Sequence, residues 1–163
     1  MPSSYPVNDP SFRMKQGSEP ASPMKILVIE DNLNDQDLLY RQMRKANIEN
    51  HILFVNDGNK AMDLLLQDAQ NPKSKILAVF LDLNLITSSG LDVLRMIRKN
   101  SKLARMPVVI MTGSEDPEDR KECERLQVVN YLAKPISAQT LCMAIANLFH
   151  QPVTTPELAE LVE

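Results

Sequence analysis

The residues of this chain best suited to chemistry are two neighbouring acids in VIEDN (Glu30 and Asp31), a third acid in FLDLN (Asp82), a hydroxyl in MTGS (Thr112) and an amine in YLAKP (Lys134). Each closes a short apolar run. Asp82 poses the sharpest question, because the oily segment ILAVFL (76–81) runs straight into it. An ionised carboxylate at the tip of a buried strand needs a partner, a metal or a crevice open to water. If the three acids share one crevice they repel, since two charges about 4 Å apart at an effective dielectric near 20 cost on the order of 4 kcal/mol. Lys134 offers one positive charge and a divalent cation offers more. Mg²⁺ suits an all-oxygen cluster that leaves positions open for water and phosphoryl oxygens, and binding by Glu30, Asp31 and Asp82 is the simplest balance. A carboxylate beside Mg²⁺, a lysine and a hydroxyl is also the equipment for accepting a phosphoryl group as an acyl phosphate. In that chemistry Asp82 attacks in line, the metal and Lys134 neutralise the equatorial oxygens, and Thr112 donates a hydrogen bond to the product. Asp82 needs no general base, and neither His51 nor His150 stands at the carboxyl end of an expected strand.

The elements that must position these groups alternate along the chain. KILVIE (25–30) reads as a strand, and DQDLLYRQMRKA (35–46) as a helix with Leu38, Leu39 and Met43 at helical spacing and Asn32 or Asn34 as its cap. HILFV (51–55), ILAVFL (76–81), PVVIM (107–111) and VNYLA (129–133) follow as strands. They alternate with helices over NKAMDLLLQDAQ (59–70), residues 90–99, DPEDRKECERLQ (116–127) and AQTLCMAIANLF (138–149). Strands this continuously apolar predict a parallel sheet with helices on both faces, a doubly wound α/β domain. Ligands of such sheets lie outside the carboxyl ends of the strands, near the point where strand order reverses. Those are the positions of Glu30, Asp31, Asp82, Thr112 and Lys134.

Composition bounds the function classes. The chain has 163 residues and a formal net charge of −3, with no basic block or aromatic-interleaved basic stripe, so a nucleic-acid groove is not supported. Cys123 and Cys142 fall in helices without metal-binding spacing, which fits a reducing compartment. No apolar run approaches the roughly 20 residues of a membrane span, and the start lacks a secretory signal, so a cytoplasmic protein without membrane contact is expected. The Pro- and Ser-rich residues 1–23 read as a disordered tail, with Met24 as an alternative start. Beyond the domain at 24–149, residues 150–163 carry a cap-like Thr155 and Pro156; a short helix and a frayed tail are both open.

Residues 24–149 resemble the receiver domain of two-component response regulators. The resemblance rests on the acidic pair in VIEDN, the acceptor in LDLNL, the hydroxyl in MTGS and the lysine in YLAKP, with thirty residues from Asp82 to Thr112 and twenty-two from Thr112 to Lys134. It implies a flavodoxin-like five-stranded sheet of order 2-1-3-4-5. It makes Asp82 the phosphoacceptor and gives Mg²⁺ to Glu30, Asp31, Asp82 and the backbone carbonyl of Asn84. Thr112 and Lys134 bind the phosphoryl group, and Tyr131 is the rotating aromatic of the switch. The implied partners are a sensor histidine kinase, phytochrome-type or hybrid, or a phosphotransfer protein. The fourth helix, fifth strand and fifth helix form the output face and the place for a homodimer contact. Loop length and the lack of an output domain resemble the stand-alone regulators paired with bacterial phytochromes.

Three departures stand out. Glu30 replaces the commoner Asp. Ile86 stands where the family usually has Pro, which frees a peptide N–H. Gln127-Val128 replaces the usual Gly-Ala, so a helix end that prefers Gly must be made by a residue with a Cβ. The rival readings are a non-phosphorylated pseudo-receiver adaptor, an aspartyl-phosphate phosphohydrolase and a flavin binder of the same fold; Glu30 and Asp31 would repel a flavin's phosphate.

Overall fold

The computed structural model describes residues 24–150. The expected tail at 1–23, residues 151–163 of the tail expected from 150, and the side chains of Phe149 and His150 lie outside the described residues. Five strands, β1 (Lys25–Ile29), β2 (Ile52–Val55), β3 (Ile76–Asp82), β4 (Val108–Thr112) and β5 (Asn130–Ala133), form one parallel sheet in the order β2-β1-β3-β4-β5. The helices are α1 (Leu33–Lys45), α2 (Gly58–Gln70), α3 (Gly90–Lys99), α4 (Pro117–Arg125) and α5 (Ala138–His150). None of the described helices is long and apolar enough to cross a membrane.

Successive strand residues point to opposite faces, and the apolar runs feed two cores. Leu27, Ile29, Val79, Leu81 and Ile110 pack with Leu65 of α2, Leu94 and Ile97 of α3 and Cys123 of α4. Val28, Phe80, Val109 and Met111 pack on the other face with Leu39 and Met43 of α1 and Leu141 and Ala144 of α5. Burying each such side chain contributes about 1.5–3 kcal/mol, which fixes the sheet as a rigid floor. Strand order reverses between β1 and β3, so the carboxyl ends of those two strands form the mouth where a site belongs.

The expected elements all form, with shifted ends. Asn32 caps α1 by accepting from the Asp35 amide at 3.1 Å, so that helix begins at Leu33 rather than 35. β1 closes at Ile29, yet the Glu30 amide still donates to the Val55 carbonyl at 3.0 Å. β4 starts after Pro107 and includes Thr112. Leu38, expected in the buried stripe of α1, is exposed, while Leu39 and Met43 are buried. Acidic residues serve the N-terminal end of α4: Asp116 caps it and Glu118 and Asp119 lie in its first turn. Cys123 is buried and Cys142 exposed.

The end of α4 meets the expectation of a helix stop without glycine. Gln127 has φ 57°, its amide donates to Glu124 and the Val128 amide donates to Cys123, the paired bonds of a Schellman stop. Arg98 of α3 secures this corner from outside. Its guanidinium donates to the Leu126 carbonyl at 2.7 Å and the Met106 carbonyl at 2.7 Å, with longer contacts to Ala104 and Gln127.

Candidate functional site

Lys134 is the hub of the mouth. Placed by its amide bond to the Thr112 carbonyl at 2.8 Å, it sends its ammonium back across the strand ends. Nζ donates to Glu30 Oε2 at 2.6 Å, Asp35 Oδ2 at 2.8 Å and Asp82 Oδ2 at 3.0 Å. One amine therefore uses all three of its N–H bonds on three carboxylates. Glu30 and Asp82 are buried, at 0% and 2% exposure, which sets the local electrostatics. Burial pushes the Glu30 carboxyl up to about 7; Asp82 beside it adds to the rise, and bonds from Lys134 and the Asn32 amide oppose it. Burial also acts to lower the Lys134 ammonium, but its bonds to Asp35, Glu30 and Asp82 override this and hold it above the usual lysine range.

Asp82 is oriented from its other oxygen. Oδ1 accepts from the Asn84 amide at 2.9 Å, and the Asn84 side chain donates onward to Thr112 Oγ1 at 3.3 Å. Thr112, buried at the end of β4, also accepts from the Ser114 amide at 3.0 Å. Thus Glu30, Asp82, Asn84, Thr112 and Lys134, scattered over a hundred positions, meet at one mouth. Tyr131 lies outside it, half-buried on β5, with its hydroxyl 3.5 Å from the Ser114 carbonyl and the Arg120 guanidinium 5.2 Å from its ring centroid.

Two residues differ from the sequence expectation. Asp35 was missed. As the third residue of α1 it points back over the strand ends, and its carboxylate joins those of Glu30 and Asp82 with oxygens all within 4.8 Å of one another. The signal lay in the Asn32 cap three residues earlier, which fixes Asp35 on the turn facing the crevice. Asp31 is not in that trio. Its Oδ2 accepts from the amides of Ile86 and Thr87, the latter at 3.2 Å, and its Oδ1 is buried without a hydrogen-bond partner.

The donor set fits a hard divalent cation. It is all oxygen, it carries more negative than positive charge, and Asp31 Oδ1 is a buried acceptor awaiting a donor or a cation. A second consequence is nucleophilic: Asp82 presents an oxygen at the crevice with an ammonium beside it to offset charge arriving on an incoming group.

Comparison with known proteins gives the family of this fold. Residues 26–146 match the response regulator receiver domain family. The chain is 31% identical to the response regulator Rcp1 of Synechocystis sp., over 85% of this chain and 98% of that one. A structure titled the Mn²⁺-bound form of Rcp1 superposes with a TM-score of 0.62 at 31% identity, over 82% of this chain and 99% of that one. The bacteriophytochrome response regulator RtBRR superposes with a TM-score of 0.67 at 30% identity, covering 82% of this chain and 84% of that one. The phosphorylated cyanobacterial phytochrome response regulator RcpA gives 0.64 at 28% identity, over 83% of this chain and 99% of that one. With its strand order, its lysine-centred acidic mouth and a match spanning most of its length, the chain belongs to the response regulator receiver domain family.

Proposed function

We propose that the chain is a stand-alone response regulator that accepts a phosphoryl group on Asp82, with Mg²⁺, from a sensor histidine kinase or a phosphotransfer protein in the cytoplasm. The observation that carries this reading is the Lys134 ammonium, held 3.0 Å from Asp82 Oδ2 while Asn84 fixes the other oxygen. Asp82 Oδ2 attacks phosphorus as the nitrogen–phosphorus bond of a phosphoimidazole breaks. Lys134 turns from its carboxylates to an incoming phosphoryl oxygen, and Thr112 offers its hydroxyl to another. Glu30, Asp31 and Asp82 with the Asn84 carbonyl hold the cation, and Asp35 adds a further carboxylate; when bound, the cation supplies charge neutralisation on the phosphoryl oxygens. The likeness to the bacteriophytochrome response regulator RtBRR and the cyanobacterial phytochrome response regulator RcpA supports a phytochrome-type kinase as donor.

Output is read through α4, β5 and α5. Thr112 drawn toward the phosphoryl group empties space toward which Tyr131 turns, and the face repacks. Met143, 62% exposed on α5, and its exposed neighbours Cys142 and Ala146 favour a homodimer contact there. The reaction is signalling chemistry on the protein itself rather than turnover of a substrate.

Beryllofluoride with Mg²⁺ tests the reading. Tyrosine fluorescence and light scattering should change for the wild-type chain, stay flat without Mg²⁺, and stay flat for Asp82→Asn. A response from Asp82→Asn equal to wild type would end the proposal.

A further inference from the structure

Resting on the reading of Asp31 as a cation-holding residue, we infer that the backbone amides of Ile86 and Thr87 are positioning groups that hold Asp31 out of the acidic trio, so that cation binding and release of the β3–α3 loop are one coupled event. Asp31 Oδ2 takes both amides, although fifty-five residues separate it from Ile86 in the chain. The first of these donors exists only because position 86 is not proline, since proline carries no N–H. The Ile86 side chain is 77% exposed, so it is the amide that ties this residue to the site. Glu30, Asp35 and Asp82 already converge around the Lys134 ammonium without Asp31. Its second oxygen is buried and unpartnered, so the loop's grip leaves half of the carboxylate unsatisfied.

Because Asp31 stands outside the trio while both amides hold its Oδ2, drawing its free Oδ1 in beside Glu30 and Asp82 pulls on those two bonds. By linkage, whatever loosens the loop must then strengthen cation binding by the same factor. The loop runs from the acceptor strand to α3, so its conformation reports occupancy of the site to the outside.

The test is a calorimetric Mg²⁺ titration of the full chain as wild type, Ile86→Pro and Ile86→Ala, with amide exchange measured on wild type. Ile86→Pro removes one donor and should bind Mg²⁺ about tenfold more tightly, in line with the loss of one hydrogen bond to a charged acceptor. Ile86→Ala keeps the amide and should match wild type within about twofold. The Ile86 and Thr87 amides should be protected in the metal-free chain and exchange faster at saturating Mg²⁺. Equal or weaker binding by Ile86→Pro would overturn the inference, because the amides would then be neutral or helpful to the cation. Should Ile86→Pro fail to fold, the exchange measurement decides alone: amides unprotected without Mg²⁺, or protected equally with it, overturn the inference. A wild-type chain that binds no Mg²⁺ overturns the reading of the acids as a cation site, and the coupled event with it.

Discussion

Glu30 and Glu122 both lie within hydrogen-bond distance of cations, yet the fold drives them in opposite directions. Glu30 is buried and rises to about 7. Glu122, on α4 facing α3, is lowered to about 2, first by its bonds from Arg125 at 2.7 and 3.0 Å and then by Arg95 at 3.2 Å. The difference is one of stoichiometry and water. In the crevice a single ammonium serves three carboxylates, two of them buried. On the α3–α4 surface two guanidiniums serve Glu122, with Asp92 taking a share of Arg95. Two guanidiniums in reach of water hold Glu122 low, whereas burial in a crowded crevice raises Glu30. The crevice around Glu30 is therefore the one with an appetite for an added cation.

Three measurements sharpen or break that contrast. The largest effect should come from Lys134→Met, which strips the crevice of the ammonium that serves three carboxylates. Chemical denaturation should show about 3 kcal/mol of lost stability, recovered in part by millimolar Mg²⁺; an unchanged midpoint would mean that the three carboxylates do not crowd one another.

A middle-sized effect should attend pH. Because folding raises Glu30, its favourable contribution is present below the usual glutamate value and is lost as pH climbs through about 7. Metal-free protein should accordingly weaken between pH 5 and 7.5, and Glu30→Gln should flatten that slope and gain on the order of 1–2 kcal/mol at pH 8. A steeper slope in the variant would assign the titration to another group.

The smallest effect belongs to the surface. Glu122 is lowered, so its contribution is present above the usual glutamate value and is lost only as pH falls toward 2. Carboxyl NMR of Arg95→Ala should show its midpoint rising toward the ordinary range. In 0.5 M salt the wild-type Glu122 midpoint should also rise while that of Glu30 holds, since screening reaches the exposed pair and not the buried one.

Much of this molecule can be read from its letters because the strands announce themselves. ILAVFL can only be an interior strand, and the polar residue that ends it must stand at the sheet's mouth. Once four such tips are marked, the convergence of Glu30, Asp82, Thr112 and Lys134 follows from topology. Side-chain aim does not. Asp31 is turned by amides fifty-five residues away, a partnership that no local pattern encodes. Asp35 enters the crevice because the Asn32 cap starts α1 at Leu33, two residues before the start the apolar spacing suggested. Leu38 shows the converse: helical spacing marked it for burial, but the stripe on α1 is narrow enough to leave it exposed. Gln127 was legible as an anomaly, and its φ of 57° confirms the site of the anomaly. The Arg98 guanidinium beside it, donating to the carbonyls that close the same corner, carried no signal in the sequence.

The first residue of α3 sets a limit on how any of this can move. A Cβ on Gly90 would lie 2.3 Å from the Asp82 carbonyl oxygen and 2.5 Å from the Leu83 Cα, and the Gly90 amide bonds the Leu83 carbonyl at 3.0 Å. Helix and β3 thus meet backbone to backbone here, with no room for a side chain between them. Any side chain at position 90 would therefore push α3 off the end of β3, and the residues 85–89 that span the two would have to follow.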